Sequence, residues 1–241
     1  MQSTLGASSA NAKHTDAGGD HSIRRVLQEN GLSIVLLLAF LTLLVAQAIT
    51  GWRVNNSDLQ DHGQAGLSFS RYLTSGHFVE ATAENWESEF LQMAAFVWLT
   101  TILVQKGSPE SRESPHEGSE AQDRKPDPNR PGAPLPVRRG GWWLRVYSNS
   151  LTLAFLLMFL ISFLVHAAGG AHEYSREQLE HGRPGVSMLG FMGTSEFWFQ
   201  SMQNWQSEFL AIAMMVLLSV FLRQKGSPES KPVDAAHSEH E

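Results

Sequence analysis

Asn85-Trp86-Glu87-Ser88-Glu89-Phe90-Leu91, then an uncharged apolar run, then Gln105-Lys106-Gly107-Ser108-Pro109-Glu110-Ser111: this stretch decides how the chain is read. It returns as Asn204-Trp205-Gln206-Ser207-Glu208-Phe209-Leu210, closed by Gln224-Lys225-Gly226-Ser227-Pro228-Glu229-Ser230, 119 positions later. The same offset carried backwards pairs Asn30 with Asn149, Gly51 with Gly170, His62-Gly63 with His181-Gly182 and Gly66 with Gly185. Over residues 30–111 against 149–230, 30 of 82 positions are identical. The sequence reads as one unit duplicated, and a repeat of this kind has to be recognised before anything else.

Each unit opens with an apolar run. Residues 32–50 hold 19 positions without a charge, and about 20 apolar residues make a helix long enough to cross a bilayer core. Arg24-Arg25 ahead of this run and Ala46-Gln47-Ala48 near its end imitate an export signal. The run is too long for a signal peptide's apolar core, and its partner at 150–168 lies in mid-chain, so both are expected as retained spans. The second helix of each unit is pinned at its far end by Lys-Gly-Ser-Pro, a cation in the last turn followed by glycine and proline. Counting roughly 20 residues back reaches Trp86 and Trp205, and tryptophan favours the headgroup level. Spans are therefore expected at about 86–105 and 205–223, with the two tryptophans as interfacial anchors.

Between the spans of each unit the chain is polar. Ser57-Asp58-Leu59-Gln60 and Ser175-Arg176-Glu177-Gln178 fit a capping box, and Gly63 and Gly182 suit the left-handed end of a short helix. Ser75 and Ser195 are expected to start the next helix. Seven of the ten prolines fall within 107–141, among Glu, Ser, Arg and Gly, a composition that cannot build a core. The expected organisation is a disordered tail at 1–29, a first two-helix repeat at 30–111, and a disordered linker at 112–141. A second two-helix repeat at 142–230 and a disordered acidic tail at 231–241 complete it. The loops inside the repeats carry only Arg53, Arg71, Arg176 and Arg183, and the other fourteen basic residues lie in the tails, linker and flanks. By the positive-inside rule both termini are expected in the cytoplasm. The two copies then share one orientation, a parallel repeat. The fold class expected is an all-α membrane protein of four transmembrane helices.

The paired Asn-Trp-x-Ser-Glu-Phe-Leu units with their Gln-Lys-Gly-Ser-Pro-Glu-Ser stops resemble an uncharacterised family of bacterial integral membrane proteins, a domain of unknown function. The resemblance covers about residues 30–230. It implies a bacterial plasma membrane and brings no activity, cofactor or site residue with it.

Candidate sites therefore rest on chemistry. Glu89 and Glu208 lie about one turn inside the tryptophan level. Ionisable groups at such depth line a pathway or find a partner, unless they serve as interfacial anchors. Asn85 and Asn204, at i−4, share their face. His62 and His181 each follow an acid, which fits an outer-surface metal or a histidine favourably placed at a helix C-terminus. His166 is aligned with Gln47 and is expected in a polar contact between helices.

Composition excludes several classes. The formal net charge of −6 leaves no basic footprint for nucleic acid. Cysteine is absent, so thiolate chemistry and disulfides are out. No Ser-His-Asp set, HExxH, P-loop or dinucleotide motif is present, so neither catalysis nor a cofactor is expected. Two classes stay open. One is a non-catalytic membrane module: a scaffold, envelope-stress component or partner-binding subunit. The other is a small proton or cation conduit using Glu89 and Glu208. The expected partners are the lipid bilayer and either further copies of the chain or a membrane protein.

Overall fold

The structure, a computed structural model, describes residues 17–110 and 125–235. The expected tails at 1–16 and 236–241, and 112–124 of the linker, lie outside the described residues. Every regular element among the described residues is helical. The chain divides into two compact units, Met1–Leu67 and Ser68–Glu241.

The first unit is one long helix and its return. Helix α1, Ala17–Asp61, is interrupted only at Asn30, whose φ of −127° and ψ of 15° leave helical space. Helix thus begins inside the stretch expected to be a disordered tail. The separate short helix expected after residue 50 does not form either, because α1 continues through Gly51 to Asp61. Within a continuous helix the backbone donors are already bonded, so Ser57 has no free end to cap. The end falls where expected, at Gly63 with φ 70°. Gln64 N–H donates to the Leu59 carbonyl at 2.7 Å and Gly63 N–H to that of Gln60 at 2.9 Å, the paired bonds of a Schellman motif. The chain then folds back, held by both polar atoms of the Asn56 side chain on the backbone of Leu67 (2.9 and 2.7 Å).

The described residues of the second unit form seven helices: α2, Phe69–Tyr72; α3, Gly76–Leu99; α4, Leu135–Arg139; α5, Gly141–Ser148; α6, Ser150–Glu180; α7, Met188–Met192; and α8, Ser195–Phe221. Helix α6 starts after Asn149, whose φ of −116° and ψ of 12° mirror Asn30. It ends on the same Schellman pair, Arg183 to Gln178 at 2.8 Å and Gly182 to Leu179 at 3.0 Å. Here too the helix runs past the expected end of its span, and Ser175 lies inside it. Its hydroxyl instead clamps the return, bonding both backbone groups of Val186 (3.1 and 2.9 Å). Ser75 caps α3 as expected, accepting from Phe78 N–H at 3.3 Å, whereas Thr194 rather than Ser195 caps α8. Helices α1 and α6 end 119 positions apart (180 − 61), and α3 and α8 start 119 apart (195 − 76).

Helix α3 stops at Leu99, short of the expected 105. Its last turn runs into Thr100-Thr101-Ile102, and the two hydroxyls bond back to the carbonyls of Val97 (3.0 Å) and Trp98 (2.7 Å). β-Branched residues that compete for backbone acceptors weaken a helix end. The expected linker is also partly structured: α4 lies within it, and Arg139 stacks over Trp143 at 5.5 Å.

Helix α3 packs along α6 and across α8, and α7 fills the corner between α6 and α8. The buried core there is Ala167, Ala171, Phe191 and Phe197. Elsewhere the large apolar side chains of α6, including Leu156, Leu157, Leu160, Ile161 and Leu164, point outward. Among the described residues three segments are long and apolar enough to cross a bilayer: Val26–Asp61, Ser150–Glu180 and Ser195–Phe221.

The α3 contacts predict how a cut chain behaves. With the backbone opened between Pro126 and Pro131, residues 1–126 supply α3 and the rest supply α6 and α8. Co-expressed pieces should co-purify from detergent as a one-to-one complex. Isolation of the tagged C-terminal piece alone would show that α3 does not hold the halves together.

Candidate functional site

Three acids on one face of α3 build the site. Glu80, Glu84 and Glu87 follow at i, i+4 and i+7, which places them in one stripe, and the stripe faces α6 and α8. Glu87 is fully buried, with no exposed surface. A buried carboxylate is tolerated only when paired and hydrogen-bonded. The partner is His166 of α6, likewise fully buried, whose Nδ1 lies 2.7 Å from Glu87 Oε2. The other carboxylate oxygen accepts from the Trp205 indole N–H at 2.9 Å.

Helix α8 answers the acids with amides. Glu196, Gln200 and Asn204 recur every four residues and so share a face. The Asn204 amide donates to Glu84 Oε1 at 3.1 Å, and the Gln200 amide donates to Glu80 Oε1 at 2.9 Å. That second bond turns the Gln200 carbonyl toward His166 Nε2, at 3.2 Å. Glu84 Oε2 stands 3.9 Å from the same nitrogen. Both imidazole nitrogens therefore face oxygen acceptors, an arrangement that suits the doubly protonated ring. The ring is stacked on Phe197, centroid to centroid 4.9 Å.

A cavity of about 220 Å³ opens beside this layer. Glu80, Glu84, Glu173, Glu177 and Glu196 line it together with His77 and Gln200. At its edge Tyr72 is buried with its hydroxyl 3.1 Å from His77 Nδ1. Burial first, and the Glu173 carboxylate second, push that phenol above its ordinary value. Arg176 pairs with cavity-lining Glu173 and with Glu180, both on α6.

The residues singled out from sequence are distributed differently. Glu89 is exposed, two positions from buried Glu87 and so on another face. Its carboxylate is near enough to Glu208 to act on it electrostatically, and the two helices meet there through the Gln92 amide on the Glu208 carbonyl at 3.0 Å. Asn85 is exposed and bonds back to Ala81, whereas Asn204 enters the acid layer. Trp86 is partly exposed, while Trp205 holds Glu87. His62 Nδ1 lies 2.9 Å from the Asp58 carbonyl and His181 Nδ1 2.8 Å from that of Glu177. A carbonyl only accepts, so each ring donates to its own last helical turn. Among the described residues no group of three or more His, Cys, Asp or Glu is arranged to hold a metal. Sequence reasoning found His166 as a polar interhelical contact but missed Glu80, Glu84 and Glu87. The i, i+4, i+7 spacing of the acids was the signal available.

Among the described residues every regular element is α-helical, three helices are of membrane length, and a layer of ionisable groups is buried between α3, α6 and α8, an architecture compatible with a helical membrane protein. The chain belongs to a family defined as a domain of unknown function, DUF6766, whose model matches residues 23–241. The chain matches no curated protein and no solved structure.

Proposed function

We propose that this is a non-catalytic plasma-membrane protein that binds, and passes, protons or monovalent cations at the Glu87–His166 layer. One observation carries the reading: Glu87 of α3 and His166 of α6, both without exposed surface, meet at 2.7 Å, and α6 is of membrane length. Ionisable groups at such depth are costly and mark ion or proton pathways. The acidic cavity beside them supplies the approach for a cation, and Glu84 stands between cavity and histidine.

In this reading α3 is the fourth crossing, shielded from lipid by α6 and α8. Its 24 residues span about 36 Å at 1.5 Å each, against a core of about 30 Å. The matched helix boundaries and the shared Schellman ends support two parallel copies of one unit. The copies have then diverged at the buried layer among other places: Glu84 and Glu87 of the first are Gln203 and Gln206 in the second. The distribution of basic residues supports cytoplasmic termini, and the family resemblance supports a bacterial source.

The test is flux. Full-length protein in lipid vesicles under a proton gradient, then under a potassium gradient, should dissipate one of them, as read by an internal pH-sensitive dye for the first and a potassium-sensitive dye for the second. The Glu87→Gln variant keeps the shape of the side chain and should lower that rate about a hundredfold, the lower end of what a positioned proton-transfer group contributes. Wild-type vesicles as tight as empty ones would sink the conduit and leave a partner-binding module.

A further inference from the structure

The segment that leads into α6 takes no part in the buried layer and has a chemistry of its own. Between Asp127 and Glu173 the chain has no acid, yet it carries Arg130, Arg138, Arg139 and Arg145, in a sequence whose formal net charge is −6. Three of these arginines belong to α4 and α5, and α4 packs on α5. The turn between the two helices is made by Gly140 and Gly141, both at positive φ (68° and 56°). It brings the Arg139 guanidinium over the Trp143 ring, 5.5 Å from the centroid. At about 100° per residue, Trp142, Val146, Trp143 and Tyr147 share an arc of about 140° on α5. Arg145 borders that arc beside Trp142, and Arg139 covers it at Trp143. Trp142 and Trp143 are 69 % and 56 % exposed.

We propose that α4 and α5 form a binding surface for the headgroups of anionic phospholipids. Charge complementarity selects this occupant. Arg138, Arg139 and Arg145 are exposed, and no ion pair among the described residues engages them. A guanidinium presents a planar fork of donors that matches a phosphate bidentately, and basic residues beside a span are drawn to anionic lipid. The indoles supply the rest, since tryptophan and tyrosine favour the headgroup level, apolar body toward the acyl chains. The surface is at the right height: α5 ends at Ser148 and α6, of membrane length, begins at Ser150. Entry into an apolar run does not by itself demand such a cluster. The 119-residue offset pairs Trp142, Trp143 and Tyr147 with Ile23, Arg24 and Gln28, and Arg138, Arg139 and Arg145 with Gly19, Asp20 and Val26. The first copy thus enters its run without the aromatic face and without these arginines. The proposal rests on the membrane placement of α6 and is independent of any passage of ions.

The test places the full-length protein in nanodiscs of equal parts phosphatidylglycerol and phosphatidylcholine, with bromine on the acyl chains of one lipid or the other. Bromine quenches tryptophan on contact, and the difference between wild type and Trp142→Phe/Trp143→Phe isolates this pair from the other tryptophans. Brominated phosphatidylglycerol should quench the pair about fivefold more than brominated phosphatidylcholine, the effect of one basic residue at an anionic surface. Arg138→Gln/Arg139→Gln/Arg145→Gln, all exposed positions, should bring the ratio to about one, as should about 1 M salt, where the screening length falls to about 3 Å. A wild-type ratio under about twofold overturns the proposal and leaves the surface to an acidic protein partner. A ratio that the arginine substitutions leave unchanged overturns it equally. If neither lipid quenches the pair while both quench the other tryptophans, the surface lies off the bilayer and the proposal fails with the membrane placement intact. If no tryptophan is quenched by either lipid, the membrane placement fails and the headgroup site with it.

Discussion

His166→Ala should destabilise the protein by about 3–5 kcal/mol, the cost of removing one partner of a buried pair and leaving the other charge uncompensated. The ring is fully buried between Glu87 Oε2 at 2.7 Å and the Gln200 carbonyl at 3.2 Å, so no water replaces it without rearrangement. Part of the loss is the void under Phe197, on which the ring stacks at 4.9 Å. The larger part is electrostatic, and a cycle separates the two. Glu87→Gln alone keeps an oxygen for the Trp205 indole and should cost no more than about 1–2 kcal/mol, the scale of one altered hydrogen bond. The double variant removes the stranded charge and keeps the void. It should therefore be more stable than His166→Ala by an amount comparable to the coupling of a close charge pair. Helicity followed by circular dichroism through a denaturing-detergent titration measures all three. A loss under about 1 kcal/mol for His166→Ala, or a double variant that is simply the sum of the singles, would place the pair among contacts of no consequence.

The sequence disclosed the scaffold well and the site poorly, for a physical reason. Apolar runs of 18 or more residues and a glycine after the last turn act locally, so the membrane-length helices and the left-handed ends at Gly63 and Gly182 were legible. Which side of α3 meets α6 is a question of rotational phase, and it depends on partners far away in sequence. Glu87 and Glu89 stand about 200° apart on a helix of 3.6 residues per turn, so choosing the wrong one places the charge on another face. Identity between the copies drew the reading to Glu89, because Glu89 and Glu208 match whereas Glu87 matches Gln206. The buried chemistry lies where the copies differ: Glu80 against Phe199, Glu84 against Gln203, His166 against Gln47. The capping boxes failed by the same logic. Ser57 and Ser175 have the right neighbours, but a serine caps only an end, and the helices run on through Gly51 and Gly170.

Gly169→Ala should cost about 1–3 kcal/mol, against the ordinary expectation for its surroundings. Alanine inside a helix is intrinsically better than glycine by about 0.8–1.0 kcal/mol, so an open site would gain. Here a Cβ would stand 2.8 Å from the Glu80 backbone nitrogen and 3.0 Å from Val79 Cγ1. Backbone atoms of a packed helix cannot step aside as a long side chain does, and overpacking of this kind outweighs the propensity. The same close approach is read from the other helix, where a Cβ on Gly76 would meet the Gly169 carbonyl at 2.9 Å. At Gly170 a Cβ would run into the Phe191 ring and reach 3.0 Å from Glu80 Oε1. Small residues let helix backbones approach closely where lipid offers no hydrophobic drive, and this approach is what brings Glu80, Glu84 and Glu87 to α6. Thr50, which aligns with Gly169, carries a full side chain and bonds back to Ala46 at 2.8 Å, so that position has not been kept small in both copies. Gly31→Ala is the control, since a Cβ there meets nothing within 4 Å, and it should be neutral or slightly stabilising. Gly169→Val should go further, separating α3 from α6 and breaking the Glu87–Trp205 bond, visible as a change in tryptophan fluorescence before the helices unfold. If Gly169→Ala proves as harmless as Gly31→Ala in the same detergent titration, the two backbones are not in contact and the acid layer is held by its hydrogen bonds alone.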